Sequence, residues 1–257
     1  RAWRILDAGI AAVMITLGAW VYALAAPQTG PRETLVLVLA SLWMIRLSGY
    51  ITWRNWGHGD FTDLAGLPMT MKDSLNVRGL RTSHGRLSDA TVATADSPVV
   101  ARLRAEDAVL YGKSSVPLFL SDHQSVSEDF GRTANPWDEA RTPGGSSGGA
   151  GATVASGLSV AELGSDLGGS LRIPASWCGL FGHRPSNGIV SKLAQRPWPD
   201  AGLLEPLVSV VGPMARSARD VATMLETITG PEGLERKAWS LALPPPRRAG
   251  LRGLRVG

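Results

Sequence analysis

Hydrophobic residues are distributed in two different ways along this chain, and the change comes near residue 60. Residues 8–26 carry no charged side chain, and after a turn containing Pro and Gly, residues 34–45 form a second uncharged stretch that residues 47–53 can extend. A helix that crosses a bilayer needs about 20 mainly apolar residues. The pattern therefore predicts an apolar helical hairpin over residues 1–60 that spans a membrane. Arginines flank its outer ends while the connecting loop is neutral, which predicts that both ends face the cytoplasm.

Two other interpretations of the apolar region stay open, namely a signal peptide and a pair of buried helices. Residues 42–57 resemble the steroid-reductase-like integral membrane family. That resemblance implies membrane insertion but no reductase activity, because it stops before the cofactor-binding part of that family. We therefore expect membrane contact through residues 8–53 with the rest of the chain cytoplasmic, and a cytoplasmic protein if the hairpin does not insert.

From residue 61 onward, short apolar runs alternate with amphipathic segments. Strands are predicted at residues 67–71, 108–111 and 207–211. Gly112 is expected to close the second strand. Helices are predicted to begin at Ser97, which precedes a proline, and at Ser217, which opens a capping-box pattern. Helices that alternate with short apolar strands predict an α/β fold in which helices cover a sheet.

Composition narrows the function classes. A net charge of +4 with 44% hydrophobic residues excludes a disordered chain. The small positive excess, much of it in the C-terminal tail, argues against a nucleic-acid partner. The single cysteine, Cys178, excludes an intramolecular disulfide, and we expect it to be a buried, small apolar residue. The histidines lack the spacing of metal ligands, so we predict no metal and no cofactor.

Two glycine-rich segments are the candidates for chemistry. They cover residues 141–151 and 164–172, with a small-residue helix expected from residue 152 and an apolar strand between them. Glycine allows successive backbone amides to face one point, which suits the binding of an oxyanion. The glycine spacings of phosphate-binding loops are not matched.

The first glycine segment also fits the G-x-S-x-G pattern of a hydrolase nucleophile elbow around Ser146. His183 and Asp166 would then be its downstream partners. That motif requires a preceding strand, however, and residues 140–143 do not predict one. The elbow remains a minor alternative.

A serine nucleophile without histidine needs another base, and lysine can serve when burial lowers its pKa. Lys72 directly follows the apolar run 67–71, so its stem is expected to leave a buried strand end. A solvated lysine at a strand end is the alternative interpretation. Lys113 is expected at the surface or behind the site.

Four blocks in this order and spacing resemble the amidase signature family: residues 67–74, 135–149, 164–175 and 178–186. The resemblance implies a partial catalytic core over residues 61–257, with a mixed sheet covered by helices and incomplete at its C-terminal side. It also implies hydrolysis of an amide C–N bond in a small, linear substrate, without a cofactor. Family members continue well past position 257.

The resemblance also implies roles for individual residues. Ser170 would be the nucleophile, Ser146 a bridging serine in a cis peptide, and Lys72 the base. The oxyanion hole would be formed by the backbone N–H groups of Leu167, Gly168, Gly169 and Ser170. Structural support would come from Gly144, Gly145, Ser147, Asp166 and Arg172, with the last two residues forming an ion pair that holds the turn.

Three functions follow from these observations. The first is an amide hydrolase tethered to a membrane, acting through an acyl-enzyme. The second is an inactive fusion or fragment that retains the triad, and the third is a non-enzymatic membrane protein whose hairpin is the functional part. Amide transfer on tRNA is disfavoured because the chain offers no basic face for nucleic acid.

Overall fold

A computed structural model gives the fold and describes residues 63–193, 195 and 208–245. The predicted hairpin over residues 1–60 lies outside this part, as does the arginine-rich tail. Within the described part, no helix combines the length and the apolar character needed to cross a bilayer. The membrane hairpin and the membrane-associated location therefore stay predictions without support from the structure.

The described part is built on a five-stranded mixed sheet. Its strands are β1 (Pro68–Lys72), β4 (Val109–Ser114), β7 (Ala161–Asp166), β8 (Phe181–Gly182) and β9 (Val210–Ala215). Their order is β4-β1-β7-β9-β8, with β1 parallel to β4 and β7, and β9 antiparallel to β7 and β8. Two small antiparallel pairs complete the strands: β2 (Arg81–Thr82) with β3 (Thr91–Val92), and β5 (Val126–Ser127) with β6 (Gly131–Arg132). The predicted α/β fold with a mixed sheet is confirmed.

Four α-helices occur in the described residues: α1 (Pro98–Ala105), α2 (Gly148–Ser156), α3 (Arg172–Cys178) and α4 (Ala218–Ile228). Short 3₁₀ turns lie at Leu87–Asp89, Leu118–Leu120 and Gly233–Lys237. The helix start at Ser217 is confirmed, because its hydroxyl accepts a bond from Asp220 N at 3.0 Å. Ser97 precedes α1 as predicted, but its side chain makes no cap bond.

Alternation along the strands separates an apolar face of the sheet from a polar one. Met69 and Met71 of β1 point into the main core, where they join buried side chains of α1 and α4. Thr70 and Lys72 therefore point to the opposite face, which α2 covers. The sheet thus buries a lysine on the side where the glycine-rich helix packs.

Three local predictions were wrong. Strand β4 continues through Gly112 to Ser114, because it pairs along its length with β1. Helix α2 begins at Gly148, inside the predicted glycine turn, where a Cβ on Gly149 would lie 2.4 Å from the Ser115 carbonyl oxygen. The segment from Gly164 to Asp166 is strand rather than turn, because it pairs with β9. In each case tertiary contacts override the local preference of glycine.

Candidate active site

Lys72 is the last residue of β1, and its side chain is completely buried. Its Nζ donates hydrogen bonds to three hydroxyl oxygens: Ser146 Oγ at 2.7 Å, Ser147 Oγ at 2.8 Å and Ser165 Oγ at 2.9 Å. The solvated-lysine alternative is wrong. The strand end instead delivers an amine to a cluster of serines that come from the first glycine segment and from β7.

Burial lowers the pKa of Lys72 from 10.5 to about 7, because the low-dielectric interior disfavours the ammonium form. The negative charges of Asp166 and Glu162 oppose this shift. The neutral amine is therefore well populated near pH 7. A base with this pKa can both accept and return a proton at neutral pH.

Ser146 lies in a tight turn that precedes α2. The peptide bond between Gly145 and Ser146 is cis, and Gly144 has a left-handed φ of 85°. Ser125 Oγ donates to Gly144 O at 2.7 Å, while a Cβ on Gly145 would lie only 2.8 Å from Asp122 O. The backbone around Ser146 is thus held from outside by the segment from Asp122 to Ser125.

Ser170 follows β7 at the end of a short turn and is 7% exposed. Its carbonyl oxygen accepts a bond from Ser147 N at 3.3 Å, which joins the two glycine segments. Within residues 63–193, no hydrogen bond connects the hydroxyls of Ser146 and Ser170. The structure therefore contains the hydrogen bond from Lys72 to Ser146, and it joins the backbone of Ser170 to that of Ser147, the residue after Ser146.

Asp166 organises the turn that carries Ser170. Its carboxylate accepts bonds from the backbone N–H groups of Gly169 at 2.8 Å, Leu171 at 3.1 Å and Arg172 at 3.3 Å. Arg172 also donates through Nε and Nη2, at 3.0 Å each, and forms an ion pair with Asp166. Burial raises the pKa of Asp166, but these hydrogen bonds outweigh it and bring the pKa down to about 2.

The four expected oxyanion donors are not equivalent. The N–H group of Gly169 already donates a hydrogen bond to Asp166. Gly169 has a φ of 116°, which glycine adopts without strain. The N–H groups of Leu167, Gly168 and Ser170 donate to no other described residue. In this structure Gly169 N–H thus holds the turn, and the oxyanion hole expected from Leu167, Gly168, Gly169 and Ser170 stays a prediction.

Two residues beside Lys72 were missed by sequence reasoning. Ser165, the third acceptor of Lys72, lies in β7 and looks like an ordinary strand serine. Glu162 is completely buried in the same strand and accepts hydrogen bonds from the hydroxyls of Thr70, Ser114 and Thr153. The available signal was an acidic residue between the apolar residues Ala161 and Leu163 of a strand, which requires a compensating environment.

A second buried ion pair lies next to the site. Lys113 Nζ is 3.0 Å from Asp73 Oδ1, and their side chains are only 10% and 9% exposed. Of the two places expected for Lys113, the structure shows the one behind the site, because β4 carries it to the inner side of the β2 hairpin, where it also donates to Thr82 Oγ1 at 3.1 Å.

Cys178 is completely buried, as expected, and burial raises the pKa of its thiol to about 11. Its Sγ donates to Pro143 O at 3.4 Å. No group of three His, Cys, Asp or Glu side chains is gathered for metal binding in the part of the chain that the structure describes.

Comparison with known proteins connects this geometry to a family. A family model described as amidase matches residues 57–257, and a second model, for a protein family of unknown function (DUF1295), matches residues 4–72. A Mycobacterium tuberculosis protein that carries the name amidase AmiB2 is 46% identical over 178 residues, which are 68% of this chain and 37% of that protein.

Solved structures resemble the same part of the chain. A glutamyl-tRNA(Gln) amidotransferase chain from Thermotoga maritima has a TM-score of 0.58 and 33% identity, over 68% of this chain and 38% of that one. For 6-aminohexanoate cyclic dimer hydrolase, the TM-score is 0.60 and the identity 33%, over 72% and 38% of the two chains. The chain thus spans less than half the length of these relatives. Since the family model covers most of its residues, the chain belongs to the amidase family.

Proposed function

We propose that this chain hydrolyses an amide C–N bond, with Ser170 as nucleophile, Ser146 as proton relay and Lys72 as base. One observation carries the proposal: a completely buried amine, with a pKa of about 7, lies 2.7 Å from the Ser146 hydroxyl. Membership of the amidase family supports the same reaction class.

The reaction proceeds in two halves. Neutral Lys72 accepts a proton from Ser146, Ser146 accepts one from Ser170, and Ser170 Oγ attacks the amide carbonyl carbon. The C–N bond then breaks, and the proton returns from Lys72 through Ser146 to the departing amine. Water uses the same relay to attack the acyl-enzyme ester, which releases the carboxylic acid and regenerates Ser170. The relay contact between Ser146 and Ser170 tightens on substrate binding, as catalytic contacts often do.

The oxyanion that forms on the carbonyl is stabilised by the N–H groups of Leu167, Gly168 and Ser170. These three groups belong to one short turn, which Asp166 pins through Gly169 N. One such donor typically contributes about 10²–10³ in rate. Because the turn is fixed before substrate arrives, little reorganisation is needed when charge develops.

The proposed substrate is a small linear amide. Related proteins are named for a cyclic amide dimer, a fatty acid amide and a tRNA-dependent amide transfer, so the family alone does not select among substrates. The chain's charge of +4 is too small to favour a nucleic-acid partner. Membrane contact through residues 8–53 remains part of the proposal, based on their uncharged sequence.

An inactive fragment that keeps the triad is the second candidate. The observation that favours it is that two different family models match the chain, one over residues 4–72 and one over residues 57–257, as they would in a fusion. Such a fragment would retain a nucleophile that reacts with a small fluorophosphonate, but it would lack a pocket that holds an amide. Comparing labelling with turnover therefore separates the two candidates.

The test is release of aniline from short aliphatic and aromatic anilides by the full 257-residue chain. We expect Ser170→Ala and Lys72→Ala to abolish release, whereas Ser176→Ala on the exposed side of α3 and Lys237→Ala at the surface leave it unchanged. Equal turnover in Ser170→Ala and the unmodified chain would overturn the proposal. Fluorophosphonate labelling without any anilide turnover would favour the inactive fragment.

A further inference from the structure

Glu162 is a buried acid that takes no part in the reaction steps described above. Its side chain is completely buried, and its carboxylate accepts hydrogen bonds from Thr70 of β1, Ser114 of β4 and Thr153 of α2, the last at 2.8 Å. A carboxylate offers about four acceptor sites. Three hydroxyl donors from three separate elements therefore fix it in one orientation. Burial raises the pKa of Glu162 above its ordinary value, and these three hydrogen bonds and the charge of Lys72 oppose that rise without cancelling it.

Strand register places this carboxylate beside the stem of Lys72. Glu162 is the register partner of Thr70, and Thr70 and Lys72 share one face of β1 because they are two residues apart. Ser114, which also bonds Glu162, is the register partner of Lys72. The carboxylate is thus held by the two residues that border Lys72 along β1 and across to β4. No hydrogen bond joins Glu162 to Lys72 Nζ within residues 63–193, so any influence is exerted through space.

Other charged groups around the pair are already compensated. Asp166, further along β7, is paired with Arg172, and Lys113 of β4 is paired with Asp73, which follows β1. Tyr111 of β4 donates to the Leu158 carbonyl, and burial raises its pKa, so it is neutral. Helix α2 contributes no titratable side chain. Asp166 also attracts the charge of Lys72, and more strongly than Glu162 does, but Asp166 has Arg172 as an ion-pair partner, whereas Glu162 has no such partner among the described residues.

We propose, on the basis of the proposed function, that Glu162 is a positioning residue that stabilises the ammonium form of Lys72 and so keeps this amine able to return a proton. A buried lysine without a compensating negative charge loses its proton too readily. It could then accept the Ser146 proton only weakly, and the departing amine would not be protonated. Burial keeps Lys72 neutral enough to accept a proton. Glu162 keeps the ammonium form stable enough for that proton to be held until the departing amine takes it.

This assignment predicts a specific pH effect. Coulombic attraction from Asp166, and after it from Glu162, raises the pKa of Lys72 against the effect of burial. Removing the carboxylate charge of Glu162 therefore lets Lys72 deprotonate at lower pH. The ascending limb of a rate profile that depends on neutral Lys72 should move to lower pH by about one pH unit.

The test measures the rate at which a fluorophosphonate modifies Ser170, by intact mass, from about pH 5 to about pH 9, a range that brackets the expected titration. Labelling needs only the nucleophile and its base. Its rate therefore reports the protonation state of Lys72 even if no pocket holds an amide. The variants are Glu162→Gln, which keeps the shape and removes the charge, and Glu162→Asp, which restores a charge. Glu226→Gln on the exposed side of α4 is the matched control, and thermal melting is recorded for each variant.

In the unmodified chain we expect the rate to rise with its midpoint near pH 7. In Glu162→Gln the midpoint should move to lower pH and the plateau rate should fall, whereas in Glu162→Asp the midpoint should lie closer to that of the unmodified chain. In Glu226→Gln the midpoint should not move. A folded Glu162→Gln protein that loses rate equally at every pH would overturn the inference and leave the proposed function standing. Absence of Lys72-dependent labelling in the unmodified chain would instead refute the proposed function.

If Glu162→Gln does not fold, Thr153→Val provides the second test. It removes one donor from the carboxylate, so Glu162 protonates more readily and the limb should again move to lower pH, by a smaller amount. An unmoved limb in a folded Thr153→Val protein would then overturn the inference.

Discussion

The amine of Lys72 lies 2.7 Å from the hydroxyl of Ser146, although 74 positions separate the two residues in the chain. Lys72 is the last residue of β1, and this end of the strand lies next to the turn that precedes α2. Burial at this point lowers the pKa of the amine, while two more serine hydroxyls hold its orientation. The fold therefore provides both the position and the protonation state that a lysine base requires.

The first prediction concerns pH. Lys72 must be neutral to accept a proton, and its pKa is about 7, so the rate should rise by about tenfold per pH unit below 7 and level off above it. The measurement is kcat/KM for an anilide from about pH 5 to about pH 9. A profile that stays flat through pH 7, or that falls as pH rises through it, would show that another group is the base.

The second prediction separates the two neighbouring serines. Ser146→Ala removes the relay and should lower kcat by about 10³, within the range for a lost acid–base group. Ser147 accepts from Lys72 but also donates to Ser165 O at 3.2 Å, so it is a support of the amine rather than a relay. We therefore expect Ser147→Ala to lower kcat far less, by about tenfold. Equal losses in the two variants, measured under saturating substrate, would contradict the assignment of Ser146.

The third prediction concerns acid stability. The pKa of Asp166 is about 2 in the folded chain against 3.8 when unperturbed, so the unfolded chain binds more protons between these values. Asp166 therefore contributes stability that is fully present well above pH 3.8 and is lost as pH falls towards 2. Asp166→Asn should lower the free energy of unfolding at neutral pH by about 2 kcal/mol, since Arg172 is half exposed and partly screened.

Urea denaturation at about pH 3 and about pH 7, on either side of the unperturbed pKa, measures this effect. The matched control is Asp138→Asn, because Asp138 pairs with Arg141 at the surface and should contribute less than about 1 kcal/mol. If the two variants lose the same stability at neutral pH, the buried carboxylate does not hold the turn.

The fourth prediction tests the close packing of α2. A Cβ on Gly149 would lie 2.4 Å from Ser115 O and 2.5 Å from Ser115 N, and these backbone atoms cannot move aside without disturbing β4. Gly149→Ala should destabilise the protein by about 3 kcal/mol. In Gly112→Ala the new methyl meets only Thr70 Cγ2, at 3.8 Å, so the change should be small. Melting temperatures of the two variants compare them, and similar values would contradict the tight contact.

Individual segments around the site could be predicted from the sequence because each carries its own local signal. The block around Lys72 predicted a buried strand end, and the glycine segments predicted the turns around Ser146 and Ser170. The helix that starts at Ser217 was predicted because its cap is encoded within four residues.

The remainder depends on contacts between segments that are distant in the chain. Glu162 gains its hydrogen-bond partners only when β1, β4 and α2 surround it, and no local pattern identifies those partners. The engagement of Gly169 N–H by Asp166 likewise depends on the path of one turn, which spacing alone does not specify. The sequence left Lys113 open between the surface and a place behind the site, because it does not reveal that Asp73 lies opposite, just after the end of the neighbouring strand.

The most direct test of the central claim is to locate the fluorophosphonate adduct by peptide mapping and to compare its rate of formation with that in Lys72→Ala. We predict a single adduct on Ser170 that forms at least about 10²-fold more slowly in Lys72→Ala at about pH 8, where the amine of the unmodified chain is neutral. The Lys237→Ala control should react at the original rate. An adduct on another residue, or equal rates at Ser170 with and without Lys72, would contradict the account.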